Sequence, residues 1–104
     1  MSPYEIAWDE EAKAELAAVR PFQRRIVVEA VERQLRHQPD VETRNRKPLR
    51  EPLGELPEAT WELRVRGDYR VFYWLVDSQT VTVLRVILKG TAALSDAVGR
   101  GEKP

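Results

Sequence analysis

Cysteine is absent from this 104-residue chain, and histidine and methionine occur once each. No disulfide, thiolate metal ligand or cysteine nucleophile is therefore available. That fits a reducing compartment, and the cytoplasm is the expected location. The lone His37 precedes Gln38-Pro39 at what reads as a helix end, where a solvated imidazole suits the helix dipole. One histidine so placed argues against a Ser/His/Asp set and, without cysteines, against a zinc site. Long apolar runs are missing too, and nothing approaches the roughly 20 residues of a membrane-crossing helix. The N-terminal "MSPYEIAWDEEAKAEL" lacks the basic start and apolar stretch of a secretory leader, so none is expected. There is no glycine-rich phosphate loop, internal repeat or low-complexity tract. Net charge is absent as well, with 17 basic and 17 acidic residues. That argues against a protein that coats nucleic acid non-specifically.

What is present fits a globular protein: 42% hydrophobic and 33% charged residues. The length predicts a single domain over 1–104, with 99–104 a loose tail. The neutral total hides a gradient. Residues 1–19 hold five acids and one base, whereas residues 20–50 hold nine bases and four acids.

"YEIAW" (4–8) reads as a strand, aromatic and β-branched. Asp9 is placed to cap a helix whose first turn carries Glu10 and Glu11, with Ala12, Leu16 and Val19 at helical spacing. Pro21 ends that helix and opens a second, on which Phe22, Ile26, Val27, Ala30, Val31 and Leu35 form a broad apolar face. Residues 37–59 contain four prolines and predict a long connection with one short extended piece. Strands follow at 60–66, 69–77 and 80–89, with a tight two-residue turn at Gly67-Asp68. The middle run, "YRVFYWLVD", is apolar on both faces and suits a central strand. "TAALSDAV" (91–98) suggests a short helix. The expected fold is α+β: an N-terminal strand, a helical hairpin on one face, a three-stranded antiparallel meander, and a small C-terminal helix or tail.

The meander carries its arginines on the polar face. Arg64 and Arg66 alternate with Trp61, Leu63 and Val65, and share that face with Glu62. Across the turn they fall beside Arg70, which shares a face with Phe72, Trp74 and Val76. Three cations on one patch repel each other, and a polyanion partner tolerates that best. The alternative is a salt bridge from Arg70 to Glu62 or Asp68 that pins the hairpin. Glu62 reads two ways, as a general base or as an ion-pair partner of Arg64 or Arg70. In the last strand, Arg85 suits neutralisation by an acid from a helix, and Lys89 suits an edge lysine that discourages aggregation. Arg44, Arg46, Lys47 and Arg50 form a basic run in the connection, either a phosphate contact or a solvated loop. Trp61, Tyr69, Tyr73 and Trp74 read mostly as core, with base stacking reserved for an exposed Trp74 or Tyr69.

Two helices followed by "KPLREPLGELPEATWELRVRGDYRVFYW" resemble the RelE/ParE superfamily of bacterial type II toxins. The residues carrying the resemblance are Lys47, Pro48, Leu49, Gly54, Trp61, Leu63, Arg64, Val65, Gly67, Asp68, Tyr69, Arg70, Val71 and Tyr73. Extra residues, Pro57 among them, separate Gly54 from Trp61. The resemblance implies the RelE-like fold and a toxin neutralised by an antitoxin. RelE-like members cleave mRNA in the ribosomal decoding site, without a cofactor or metal, and ParE-like members poison DNA gyrase. It further implies that Arg70 faces the scissile phosphate, that Arg64 and Arg66 lie on a strand whose basic residues hold mRNA or assist proton transfer, and that Lys89 falls near a phosphate-binding cation; Glu62 is the candidate base beside them, and Lys47 and Arg50 of the basic run are candidate substrate contacts. A member that has lost activity and only binds its antitoxin is a third reading. Glu62 departs from the lysine often found at its position. "KGTAALSDAVGRGEKP" also lacks the histidine and tyrosine that many mRNA-cleaving relatives carry after the last strand.

Overall fold

The computed structural model describes residues 3–51, 54 and 59–88. In chain order these form β1 (Glu5–Trp8), α1 (Glu10–Ala17), α2 (Pro21–Leu35), β2 (Arg46–Pro48), β3 (Trp61–Val65), β4 (Tyr69–Leu75) and β5 (Thr80–Leu88). The five strands make one sheet in the order β1-β5-β4-β3-β2. The expected α+β architecture is present, with β3, β4 and β5 as the antiparallel meander. β1 lies parallel to β5, with Ile6 opposite Val81 and Trp8 opposite Val83. The short extended piece of the connection is β2, which adds to β3 at the opposite edge. Lys89, the 91–98 segment and the 99–104 tail lie outside the described residues.

The helices begin where their sequences dictate. Asp9 stands at the N-cap of α1 with extended backbone angles but makes no side-chain cap bond, leaving Glu10 and Glu11 to favour the dipole. Pro21 opens α2. Arg24 then joins the two helices. Its Nε donates to Leu16 O at 3.1 Å, and its Nη2 to Ala17 O at 3.1 Å and Val19 O at 2.9 Å. These carbonyls lie at the end of α1 and just beyond it, where the helix runs out of its own donors, and Leu16 O also takes the Val19 N–H at 3.1 Å.

Both helices cover one face of the sheet. Ala12, Val27, Val31 and Leu35 pack there against Leu63, Val71, Tyr73, Val81 and Val83, all fully buried. Each buried Val or Leu among them contributes about 1.5–3 kcal/mol. β4 is the central strand and is apolar on its other face as well, because Phe72 packs there with Ala59, Leu84, Ile87 and Leu49. A break in the β4–β5 register between Phe72 and Tyr73 interrupts the alternation of β5. Arg85 consequently meets α1, where its Nε donates to Glu15 Oε2 at 2.6 Å and the Val86 N–H donates to Glu15 Oε1 at 2.7 Å. The expected helix acid is thus Glu15.

Two local expectations are corrected. The β3–β4 turn is not a two-residue Gly67-Asp68 turn. Val65 pairs with Tyr69, so Arg66, Gly67 and Asp68 form a three-residue loop, closed by the Asp68 N–H donating to Val65 O at 3.1 Å. Arg66 (φ 59°) and Gly67 (φ 79°) both take left-handed backbone there, a geometry that a strand residue cannot adopt. Arg46 is not part of a solvated basic run. It is buried, donating to Val41 O at 2.9 Å, Gln34 O at 2.9 Å and Gln34 Oε1 at 2.6 Å, and so ties β2 to the end of α2. Among the described residues, no helix is long and apolar enough to cross a membrane.

Candidate functional site

The site is built on the sheet face that the helices leave open. In the β3–β4 register, Arg64 stands directly opposite Arg70 and Glu62 opposite Phe72. On the other side of β3, Lys47 of β2 stands opposite Glu62. Residues facing each other in this way project to the same side, so Lys47, Glu62, Arg64 and Arg70 share one patch.

Two arginines directly across a ladder repel, and Glu62 resolves the conflict. Its Oε2 accepts a hydrogen bond from Arg64 Nε at 3.1 Å and lies 3.4 Å from Arg70 Nε. The Glu62 side chain is only 9% exposed, against 23% for Arg70 and 46% for Arg64. The carboxylate therefore sits beneath two guanidiniums whose far edges reach outward. Both arginines meet it through Nε, and their Nη groups make no hydrogen bond among the described residues. A partly exposed planar donor fork with unused N–H groups suits a phosphate oxygen. One oxygen of the buried acid is thus paired with both arginines, and the other, Oε1, accepts no hydrogen bond among the described residues.

The remaining candidates fall in different places. Arg66 leaves the strand for the loop, exposed and beyond the ladder. Arg50 is exposed just past β2, at the edge of the sheet. Lys47 is half-buried beside Glu62. Trp74, 38% exposed, is the aromatic that remains accessible on this side of β4, whereas Tyr69 is buried and donates from its hydroxyl to Gln23 Oε1 at 2.7 Å. Tyr73 is also buried. Its hydroxyl donates to Pro39 O at 2.6 Å, its ring stacks on Trp61 at 6.1 Å, and burial pushes its phenol well above the usual tyrosine range. His37 is exposed after α2, as expected. Among the described residues, no group of three His, Asp or Glu side chains could hold a metal ion.

The pattern of strand, helical hairpin and meander, with a cationic patch on the open face, agrees with comparisons to known proteins. The profile of the ParE toxin of the type II toxin–antitoxin system parDE matches residues 6–91. The chain belongs to this family, within the RelE/ParE superfamily. Among solved structures, it is similar to a chain of the toxin–antitoxin complex RelBE2 from Mycobacterium tuberculosis, at 33% identity and a TM-score of 0.67. That match covers 84% of this chain and 99% of the other. No curated protein sequence matches significantly. The ParE/RelE toxin fold thus positions the patch: the helices hold one face of the sheet and leave the other to Lys47, Glu62, Arg64 and Arg70. Sequence reasoning brought the last three together and held Lys47 apart as a loop cation. The signal that would have found it is the Lys47-Pro48-Leu49 run, short enough and extended enough to pair with β3.

Proposed function

We propose that this ParE/RelE-family toxin is the toxic half of a type II pair, held in check by an antitoxin, and that it inhibits translation by cutting mRNA on the ribosome. The observation carrying this reading is the Glu62 carboxylate set between Arg64 and Arg70, with one oxygen left without a hydrogen-bond partner among the described residues. Cleavage of RNA at a phosphodiester needs a base for the ribose 2′-OH and a fixed cation for the phosphate. In this scheme Glu62 Oε1 takes the 2′-OH proton as that oxygen attacks phosphorus. Arg70 meets the charge that grows on the phosphate oxygens, and Arg64 steadies both. The bond to the 5′-oxygen breaks, that oxygen takes a proton from water, and the proton on Glu62 returns to solvent. The products are a 2′,3′-cyclic phosphate and a 5′-hydroxyl. Lys47, Arg50 and Arg66, with Lys89 beyond the described residues, hold flanking phosphates. The reading takes residues 1–104 as one domain acting in the cytoplasm, where ribosomes are.

The test is primer extension on programmed ribosomes with a defined mRNA and antitoxin-free protein. Cuts in the decoding-site codon are expected from the parent and not from Arg70→Ala. A folded parent that makes no cuts overturns the proposal. A second reading, poisoning of DNA gyrase, is favoured by the ParE profile match and by the missing C-terminal histidine and tyrosine. Its signature is gyrase-dependent accumulation of cleaved DNA with mRNA left intact.

A further inference from the structure

The chain has three tryptophans, and two of them serve the core. Trp8 and Trp61 pack against the cluster beneath the helices, and Trp61 also stacks on Tyr73. Trp74 belongs to neither core cluster. It is exposed, and its indole has no ring or hydrogen-bond partner among the described residues. Its cross-strand neighbour on β5 is Thr82, and beyond Thr82 on β1 stands Ala7. Facing residues share one side of the sheet, so these small side chains leave room around the ring.

The apolar surface at this point is limited. Val76 is the next exposed hydrophobic along the strand, and the β5 and β1 positions beside the pair are Thr80, Thr82, Glu5 and Ala7. A stable protein interface needs about 800 Å² a side with an apolar centre. Two apolar side chains among small and polar ones suit a single flat ring better. The cations lie close by. Glu62 stands opposite Phe72, so its diagonal neighbours on β4 are Arg70 on one side and Trp74 on the other, each about 7–8 Å away. Arg70 leans towards Glu62, with its Nε 3.4 Å from Oε2. Phe72, between the two diagonals, is buried with Leu84 and adds no polar group.

We propose that Trp74 binds the base of the nucleotide 5′ to the cut, by stacking its indole on the base. This inference rests on the cleavage reading above. There, Arg70 meets the scissile phosphate and Glu62 the ribose 2′-OH on its 5′ side. The base on that ribose extends away from the phosphate, past Glu62, to where Trp74 stands. Three side chains then hold one nucleotide at its phosphate, ribose and base. Every base has a π face, so the contact selects an unpaired nucleotide rather than a sequence. Holding the base also fixes the ribose, which keeps the 2′-OH beside its base and in line with phosphorus.

Cleavage rates on programmed ribosomes test this, with the full chain and with mRNA carrying an abasic site in place of the base 5′ to the cut. Trp74→Thr keeps a strand-forming residue and removes the ring. It is expected to cut normal mRNA about tenfold or more slowly, whereas Trp74→Phe, which keeps a π face, loses about threefold at most. On the abasic mRNA the parent is expected to fall to the Trp74→Thr rate, and Trp74→Thr to lose nothing further. A purely structural role would slow both mRNAs alike, so equal slowing overturns this inference alone. Full cleavage by a folded Trp74→Thr also overturns it alone, and leaves the patch to a protein contact. If Trp74→Thr does not fold, the parent decides: undiminished cleavage of the abasic mRNA overturns the inference, and a loss of about tenfold supports it. A parent that makes no cuts in normal mRNA overturns both this inference and the reading beneath it.

Discussion

At Glu62, one carboxylate holds two arginines that the strand register sets face to face. Replacing it with glutamine keeps the shape and removes the charge. Glu62→Gln is therefore expected to lower stability by about 1–2 kcal/mol, the cost of leaving like charges opposed. It is also expected to lower cleavage by ~100-fold or more, the scale of a lost general base. Urea unfolding and single-turnover cleavage separate the two effects, and full activity in a folded Glu62→Gln protein would remove the base from the scheme. Tyr73 gives a pH prediction. Its phenol is held neutral by burial, so its pKa in the folded chain lies above the unfolded value of about 10. The unfolded chain sheds that proton first as pH rises. The stability from Tyr73 is thus complete below about pH 10 and falls above it, by up to about 1.4 kcal/mol per pH unit. Tyr73→Phe is expected to cost about 1–2 kcal/mol at neutral pH, because Pro39 O loses its donor, and to flatten the alkaline slope. Thermal melts at neutral and alkaline pH check both.

Among the elements, the β3–β4 loop and the α1–β5 clamp set where the site residues point. Nothing lies within 4 Å of where a Cβ on Gly67 would sit, so the cost of a side chain there is purely that of its left-handed backbone. Gly67→Ala is expected to lower stability by about 1 kcal/mol, seen as a fall in Tm of about 4–8 °C. Arg66→Asn keeps a residue that tolerates the same backbone and removes the charge, so it isolates any role of that cation in substrate binding. The Glu15 clamp holds the irregular part of β5 through Arg85 and the Val86 N–H. Glu15→Ala is expected to cost about 2–3 kcal/mol. The denaturation midpoint should move with an unchanged slope, and a null shift would mean that the bulge is held by packing alone.

Over the whole molecule, equal numbers of cations and anions leave no strong long-range field to steer a polyanion. Under the proposed mRNA cleavage, RNA affinity would depend on the few phosphates within reach of Lys47, Arg64 and Arg70. Three contacts to single-stranded RNA predict a log–log salt slope of about −2. Titration between about 50 and 200 mM salt measures it. A slope near zero would mean that these cations do not meet phosphate. The fold also separates two surfaces, a cationic face around Glu62 on β3 and the edge at β1, three strands apart in one sheet.

The sequence by itself determined the element order, the helix starts at Asp9 and Pro21, and the central position of β4, because these follow from local rules of capping, proline geometry and apolar periodicity. It also placed Arg64, Glu62 and Arg70 on one face, since a period of two needs only neighbouring residues. Arg66 escaped that logic, because a third loop residue changes no side-chain pattern until the register closes at Val65 and Tyr69. Arg46 looked like one more solvated cation, because its carbonyl partners lie at Gln34 and Val41 and announce themselves in no motif. The parallel pairing of β1 with β5, the joining of Lys47 to Glu62 and the sharing of one carboxylate by two arginines were decided only by the tertiary structure. Each depends on segments far apart in the chain meeting in one register, which residue spacing does not encode.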